Sequence, residues 1–339
     1  MMRETDREAY RDLYEPLLRM GLLRPGEAIA LAPLTGGVSS DILLATTPTR
    51  KFCIKRALTR LKVAEVWEAP VERNAAEADW LSLVAGWLPE NVPAVLGEAR
   101  ADGLFAMTYL PPGTHPVWKA RLKDGEIDTS FASCVGKVLV KIHALSAGDC
   151  DIARTFANDR TFELIRVDPY FRFTATKYPL LASRLGELAD RTLATKVALV
   201  HGDVSPKNIL CGVAGPVFVD AECAWYGDPA FDLAFCLTHL LLKTVWRPQW
   251  AADYMLCYAA LARAYLAGID WERADELDAR CATLIPALLL ARIDGKSPVE
   301  YLGDQDQMNF VRQRAIALMG DPGRSVSELG EYWQRKDHE

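Results

Sequence analysis

The first third of the chain combines two helical patterns with several short apolar runs. Apolar residues at helical spacing over residues 6–20 predict a helix that ends at Gly21. A second helical pattern covers residues 71–85. The short runs predict strands at residues 29–32, 42–45, 52–54, 94–96 and 104–109. The pattern therefore predicts a small β-rich part of the chain.

Beyond this part the pattern is mainly helical. Pro111, Pro112 and Gly113 form the best candidate linker, because proline and glycine interrupt both helices and strands. Amphipathic spacing predicts a helix over residues 131–145, and long helices are predicted from residue 231 to about residue 318. The sequence predicts an α+β fold with a first lobe over residues 1–110 and a helical second lobe over residues 111–339.

Composition and charge exclude several classes of protein. The chain has 339 residues, 50% of them hydrophobic, which excludes overall disorder and allows two lobes around a cleft. The net charge of −6 argues against a nucleic-acid-binding protein. The eight cysteines include no C-x-x-C pair, and neither a secretory leader nor an apolar run of membrane-spanning length is apparent. We therefore expect a cytoplasmic protein with no nucleic-acid or membrane partner.

One stretch, residues 197–234, concentrates polar side chains around short strand-like runs. Asp203 follows a predicted strand, Asn208 stands five residues later, and Asp220 stands twelve residues beyond Asn208. A Gly-Val-Ala-Gly-Pro turn between two of the runs predicts a hairpin that returns Asp220 to the end where Asp203 and Asn208 lie. Asn208 and Asp220 offer the hard oxygen ligands that Mg²⁺ prefers, and Asp203 could accept a hydroxyl proton. The pattern predicts phosphoryl transfer.

The same residues carry a resemblance to a known family. His201-Gly202-Asp203, Asn208 and Asp220 resemble the catalytic loop and metal aspartate of the protein-kinase-like superfamily. The motifs HGD-x4-N and D-x-E, followed by GDPAFDLA, are most similar to the aminoglycoside phosphotransferase and choline kinase branch of that superfamily. The resemblance extends over most of the chain. It implies a two-lobed kinase-like fold, ATP or GTP as phosphate donor, Mg²⁺, and a small-molecule hydroxyl acceptor.

The resemblance also implies roles for residues of the first lobe. A loop between two predicted strands would cover the nucleotide phosphates, through Gly36, Gly37 and Ser39. Lys55 would bind the α- and β-phosphates, and Glu77 on the following helix would orient Lys55. Each residue alone is more typical of a turn, a strand end or a helix surface. The order in which they follow one another carries the interpretation.

Further residues complete the implied site. The backbone around Met107 and Tyr109 would meet the adenine. His201 is interpreted as a residue that packs the catalytic loop rather than as a base. Asp232 would brace that loop from the next helix, and Glu222 would assist the metal through water or remain an exposed turn carboxylate.

The acceptor stays open at this point, although a protein substrate is disfavoured. Gly202 stands where protein kinases carry arginine, and only seven residues separate Asp220 from Asp228, which leaves no room for a long activation segment. The acidic excess in the last hundred residues is too slight to support a polycationic aminoglycoside. An amine would need an aromatic cage, for which Trp225 is a candidate, although core packing is the commoner role of an aromatic residue.

A sugar or an anionic metabolite is the other small-molecule alternative. Residues 288–302 include Arg292 and Lys296 and faintly resemble the arginine-bearing segment of methylthioribose kinases, although a solvated helix end is the commoner explanation of such residues. A catalytically inactive nucleotide-binding protein is a further alternative. The sequence makes no prediction about the oligomeric state.

Overall fold

The computed structural model describes residues 11–34, 40–58, 70 and 72–335. Gly36, Gly37 and Ser39, which were predicted to cover the nucleotide phosphates, lie outside the described residues. The described part of the first predicted helix is a 3₁₀ turn over Arg11–Leu13 and helix α1 over Tyr14–Arg19. Gly21 follows with φ +69°, a left-handed conformation that suits glycine at a helix end.

An antiparallel sheet forms most of the first part of the chain. Its spatial order is β1-β2-β3-β5-β4. The strands are β1 Ala30–Pro33, β2 Ser40–Thr46, β3 Lys51–Ala57, β4 Val95–Ala99 and β5 Leu104–Thr108. All five coincide with predicted runs, shifted by a few residues at their ends.

Strand β3 is buried on both faces because the chain packs on either side of it. Phe52 and Ile54 contact the apolar side of α1, whereas Cys53 belongs to the larger core that continues into the helical part. Since side chains alternate along a strand, Lys55 points to the same side as Cys53. The alternation along the strand therefore points the side chain of Lys55 towards the larger core.

Helix α2, over Arg73–Trp87, lies between the third and fourth strands in sequence. Glu77, Leu81 and Val84 share one face of the helix, spaced three and four residues apart, and each is at most 1% exposed. Glu77 therefore places a carboxylate within an otherwise apolar face.

The remainder of the chain is mainly helical, as predicted. Between the linker and the candidate loop lie α3 Trp118–Lys123, α4 Thr129–Ser146, α5 Cys150–Thr155, α6 Asp159–Phe162, a π-helix Glu163–Arg172, α7 Phe173–Lys177 and α8 Ala182–Ala194. The chain ends in α9 Ala230–Trp246, α10 Ala251–Leu266, α11 Ala274–Asp294, α12 Gln305–Gly320 and α13 Val326–Gln334. Helix α9 is buried along nearly its whole length and packs against α10 and α11.

Four short strands frame the candidate loop. Strands β7 Ile209–Gly212 and β8 Gly215–Phe218 form the predicted hairpin. Strand β6, Ala198–Val200, pairs with β9, Trp225–Gly227, which the sequence pattern did not reveal. The α+β fold is confirmed, whereas the boundary between residues 110 and 111 stays a prediction. Within the described ranges, we find no helix with the length and apolar character needed to cross a membrane.

Candidate active site

The loop after β6 is fixed to helix α9 by one buried carboxylate. Asp232 accepts hydrogen bonds from the backbone N–H groups of His201 and Gly202, at 2.7 and 2.8 Å. It also accepts one from His143 Nε2 at 3.3 Å, and Tyr265 donates to Nδ1 of that histidine at 2.6 Å. Because these groups are buried and satisfied, the start of the loop is held firmly.

His201 is occupied on both ring nitrogens. Its Nε2–H donates to the carbonyl oxygen of Val219 at 3.1 Å, and its Nδ1 accepts the backbone N–H of Asp203 at 3.2 Å. Burial lowers the pKa of His201 although nearby carboxylates favour its charged form, and its ring meets Trp80 edge-on with 4.9 Å between centroids. The side chain therefore packs and orders the loop, and neither nitrogen is available as a base.

Gly202 has a conformation and a contact that only glycine allows. Its φ is +77°, and a Cβ atom here would lie 2.7 Å from both Cβ and the carbonyl oxygen of Cys223. Backbone strain and overlap with another backbone would both have to be accommodated. The absence of arginine before Asp203 thus follows from the packing of this loop against Cys223.

Replacement of Gly202 by alanine is expected to lower the free energy of unfolding by about 2 kcal/mol or more, because the collision involves backbone atoms. Urea denaturation measures this change. Gly186→Ala is the matched control, because a Cβ atom there meets nothing within 4 Å and helix α8 favours alanine. Equal stability of the two variants would contradict the packing argument.

Asp203 is a buried, ionised carboxylate held by three side chains. Its Oδ2 lies 3.0 Å from Arg166 Nη2 and 3.1 Å from Lys207 Nζ, and it accepts a hydrogen bond from Asn208 Nδ2 at 2.8 Å. Burial raises the pKa of Asp203, but the charges of Arg166 and Lys207 outweigh this effect and hold the pKa below its usual value. Asp203 is therefore charged at neutral pH and able to accept a hydrogen bond from a hydroxyl group.

Arg166 belongs to the candidate site, and sequence reasoning missed it. It lies on the π-helix, and besides the ion pair with Asp203 its Nε donates to the carbonyl oxygen of Gly202 at 2.6 Å. Pro169 lies inside the same helix and cannot donate a backbone hydrogen bond, which is compatible with the wider π-turn. The arginine beside the Asp203 carboxylate thus comes from a distant segment, and no local motif marks it.

Lys55 reaches across from the sheet to two carboxylates. Its Nζ lies 2.6 Å from Glu77 Oε2 and forms a hydrogen-bonded ion pair with Asp220. Burial lowers the pKa of Lys55, but Asp220 and Glu77 outweigh it and raise the pKa overall. Burial raises the pKa of Glu77 to about 7, against the opposing charge of Lys55. The lysine is thus charged and held between strand β3, helix α2 and the hairpin.

Asp220 stands in an uncommon backbone conformation. Its φ is +68°, in the left-handed region that asparagine and aspartate tolerate better than most residues. Burial raises the pKa of Asp220, but Lys55 and Lys207 outweigh burial and the pKa is lowered overall. A strained, charged residue at the end of a hairpin is typical of a functional position.

Asn208 and Asp220 provide a donor set that fits a magnesium ion. Asn208 uses its Nδ2 group on Asp203, which leaves its Oδ1 atom available as a ligand, and its carbonyl oxygen accepts the N–H of Val219 at 3.0 Å. Hard oxygens from one or two side chains, completed by water and phosphate oxygens, suit Mg²⁺. Across the described ranges, no cluster of three or more His, Cys, Asp and Glu side chains could hold a metal by itself.

These features agree with what comparison with known proteins finds. Residues 30–277 match the model of the phosphotransferase enzyme family, APH. The chain belongs to this family. Over 275 residues it is 23% identical to the methylthioribose kinase of Geobacillus sp. (strain WCH70), covering 70% of this chain and 68% of the relative. The methylthioribose kinase of Bacillus thuringiensis (strain Al Hakam) is 27% identical over 227 residues, covering 59% and 57% of the two chains.

Two solved structures of kinases share the fold of this chain. The ethanolamine kinase of Plasmodium vivax has a TM-score of 0.56 at 11% identity. The match covers 98% of this chain and 88% of the ethanolamine kinase chain. The amicoumacin kinase hAmiN, solved with AMP-PNP, Ca²⁺ and Ami, has a TM-score of 0.54 at 13% identity and covers 96% and 97%. The predicted membership among small-molecule phosphotransferases is thereby confirmed, and the family implies a nucleotide substrate.

Three further residues that the sequence analysis named, Met107, Tyr109 and Glu222, lie in different parts of the structure. Met107 lies near the end of β5, paired with Cys53, and Tyr109 follows that strand, half-buried. Their contact with adenine stays a prediction. Glu222 pairs with Arg73 Nε at 3.1 Å rather than standing exposed, and its assistance to a metal also stays a prediction.

Trp225 does not form an aromatic cage for substrate. It is 0% exposed on strand β9 and stacks on Phe162 with ring centroids 4.1 Å apart. The prediction that Trp225 contacts an amine substrate is therefore wrong, because the side chain has no exposed surface, and its alternative role in the core holds.

Arg292 and Lys296 lie at the end of helix α11. Arg292 is 8% exposed, and its Nη1 donates to Tyr170 OH at 3.1 Å on the π-helix that also carries Arg166. The backbone N–H of Lys296 donates to the carbonyl oxygen of Pro169 at 3.1 Å. The segment is therefore packed against the element that holds Asp203 and is not a solvated helix end.

Proposed function

We propose that this protein transfers the γ-phosphate of ATP to a hydroxyl group of a small molecule, with Mg²⁺ as the metal. The observation that carries the proposal is Asp203, a buried and ionised carboxylate that lies between Arg166, Lys207 and Asn208 at the end of strand β6. Because its pKa is low, Asp203 orients the acceptor hydroxyl and receives its proton as the new bond to phosphorus forms.

The remaining residues position the donor. Lys55, held by Glu77 at 2.6 Å, would bind phosphate oxygens of the nucleotide. Asn208 and Asp220 would hold Mg²⁺, which supplies neutralisation of the charge that develops during transfer. Catalysis then depends on placing the two reactants in line and on fixed charges, since this reaction needs little covalent participation from the protein.

A cytoplasmic location is part of the proposal. A cytoplasmic location suits a protein that uses ATP and whose cysteines, among the described residues, are all free.

Two acceptor classes compete within the proposal. The methylthioribose kinases among the relatives favour a sugar-like hydroxyl compound. Choline and ethanolamine kinases share the fold, but a cation-binding aromatic cage built on Trp225 is excluded by the burial of that residue. An inactive nucleotide-binding protein is disfavoured because Lys55, Asp203, Asn208 and Asp220 are all present and mutually positioned.

The test is an ATP-consumption screen with Mg²⁺ against sugars, amino alcohols, aminoglycosides, nucleosides and short hydroxy acids. We expect consumption with one chemical class and formation of the corresponding phosphate ester, detected by mass spectrometry. Binding of ATP without consumption across the whole panel would support the inactive nucleotide-binding alternative. Labelling of generic protein substrates instead would support a protein kinase.

A further inference from the structure

Five basic side chains converge beside the catalytic loop, and we call them the basic cluster: Lys119, Lys207, His239, Lys243 and Arg292. They come from α3, the loop itself, α9 and α11. The positive charges of the other four all act on His239 and, together with its burial, push its pKa well below the usual value. Three members meet around one ring, since Lys119 Nζ and Lys243 Nζ lie 5.5 and 4.9 Å from the ring centroid of Tyr301 and His239 Nδ1 lies 3.4 Å from its hydroxyl oxygen.

Lys243 is the most deeply buried of these cations. It is 1% exposed, and its Nζ lies 5.1 and 4.9 Å from the ring centroids of Trp246 and Tyr301. Among the residues that the structure describes, no carboxylate forms an ion pair with it. Burial and the charge of Lys119 lower the pKa of Lys243 to about 7, although Glu300 opposes this effect.

Two other members of the basic cluster keep buried nitrogen atoms that have no hydrogen-bond partner among the described residues. His239 is 5% exposed; its Nδ1 lies 3.4 Å from Tyr301 OH, and its buried Nε2 has no partner among the described residues. Arg292 donates through Nη1 to Tyr170 OH and to Ser297, but in the described ranges its buried Nε atom has no acceptor. Buried polar atoms are normally hydrogen-bonded, so these two nitrogen atoms have bonding capacity left for a group that binds beside them.

The basic cluster is continuous with the catalytic carboxylate. Lys207 lies 3.1 Å from Asp203, and the backbone N–H of Lys119 donates to the carbonyl oxygen of Pro206 at 2.8 Å. The cluster therefore borders Asp203, the group proposed to receive the acceptor proton.

The charge balance identifies the kind of molecule. A buried cation without a counter-ion is costly, and one partner of opposite charge removes most of this cost. Glu300 is the carboxylate whose charge acts on Lys243, and it is already ion-paired with Lys119. A polycationic antibiotic or a quaternary amine would be repelled, whereas an anion would satisfy the unpaired donors.

We propose that the acceptor is an anion: a small hydroxyl compound with a carboxylate or phosphate group that Lys243, Arg292 and His239 bind while its hydroxyl group meets Asp203. This inference rests on the proposed function. In the reaction the acceptor oxygen bonds to the γ-phosphorus, the bond from that phosphorus to the bridging oxygen breaks, ADP leaves, and Asp203 takes the hydroxyl proton. The anionic group is a handle and does not react.

The binding test separates this inference from the proposed function. The enzyme is first saturated with AMP-PNP and Mg²⁺, so that phosphate-binding groups of the nucleotide site are filled. Inorganic phosphate and acetate are then titrated in separate arms and followed by thermal shift. We expect at least one anion to stabilise the wild-type complex, and Lys243→Met to weaken its binding about tenfold to a hundredfold.

Controls make each outcome decisive. Lys137→Met removes the same charge from an exposed position on α4 and should leave anion binding unchanged, and Lys243→Arg should retain much of it. Absence of stabilisation by either anion, or equal binding to wild type and Lys243→Met, would overturn the inference. Failure of AMP-PNP itself to bind would instead count against the proposed function.

Lys243→Met should also fold, because methionine fills a similar volume without a buried charge. We expect its melting temperature to exceed that of the wild type at pH 6, where Lys243 is protonated among Lys119, Arg292, His239 and Glu300. The excess should shrink towards pH 10, because the folded wild type has lost that proton by then whereas the unfolded chain retains much of it. A variant that is less stable than the wild type at pH 6 would indicate a structural role for the lysine and contradict the inference.

A turnover assay then distinguishes the two kinds of anion. The acceptors are matched sets that differ in charge: glycerol, glycerate and glycerol phosphate, and ribose, ribonate and ribose 5-phosphate. Two results together support the inference. The wild type turns over the carboxylates or the phosphates, and Lys243→Met raises the Michaelis constant for the acceptor about tenfold or more while the Michaelis constant for ATP is unchanged. Preference for the neutral members or for choline and kanamycin would overturn it.

Discussion

Asp203→Asn is expected to lower the rate of phosphoryl transfer by about a hundredfold to ten-thousandfold while nucleotide affinity changes little. Asparagine keeps the size of the side chain, but it cannot receive the proton of the acceptor hydroxyl. It also removes the charge that Arg166 and Lys207 face at 3.0 and 3.1 Å. The measurements are steady-state kinetics with the acceptor found in the screen and titration calorimetry with ATP.

The matched control for this variant is Asp151→Asn, which removes a carboxylate whose side chain is 86% exposed and far from the loop in sequence. It should retain the activity of the wild type. Activity of Asp203→Asn within a few fold of this control would show that Asp203 does not receive the proton.

The second large effect is expected for Asp220→Asn. Asparagine tolerates the left-handed backbone at φ +68°, so the substitution tests charge and ligation without added backbone strain. It leaves Lys55 with Glu77 as its ion-pair partner and weakens one of two oxygen ligands for Mg²⁺. We expect the gain in nucleotide affinity that Mg²⁺ gives to fall by about tenfold to a hundredfold, measured by calorimetry with and without metal.

The comparison within each protein makes this result specific. Affinity measured without Mg²⁺ should change less than affinity measured with it, because the lost group acts mainly on the metal. An unchanged response to Mg²⁺ would contradict the assignment of Asp220 as a metal ligand. A loss that is equal with and without metal would place its role in the ion pair with Lys55.

Local patterns predicted much of this fold because local rules govern those elements. Alternation and turn residues placed the five strands of the sheet and the hairpin that ends before Asp220. The close spacing of Asp203 and Asn208 predicted that they share a loop, whereas the resemblance to a known family implied the grouping of Lys55 and Glu77 with them. The short strand β9 was missed because three residues have no periodicity of their own.

The features that depend on distant contacts could not be predicted in this way. Arg166 acts on Asp203 from a π-helix 37 residues earlier, and nothing in its own segment distinguishes it from a surface arginine. Lys243 sits within an apolar helical run, where its burial follows from how α9 packs against α10 and α11. The error over Trp225 has the same origin, since strand pairing decides whether an aromatic side chain faces a cleft or the core.

The most direct test of the central claim is transfer of labelled phosphate from γ-labelled ATP by the wild type and by Asp203→Asn, with Mg²⁺ and the panel of hydroxyl compounds. The account predicts a labelled phosphate ester of a small molecule with the wild type and almost none with the variant. Equal labelling by both proteins, or label found on protein alone, would contradict it.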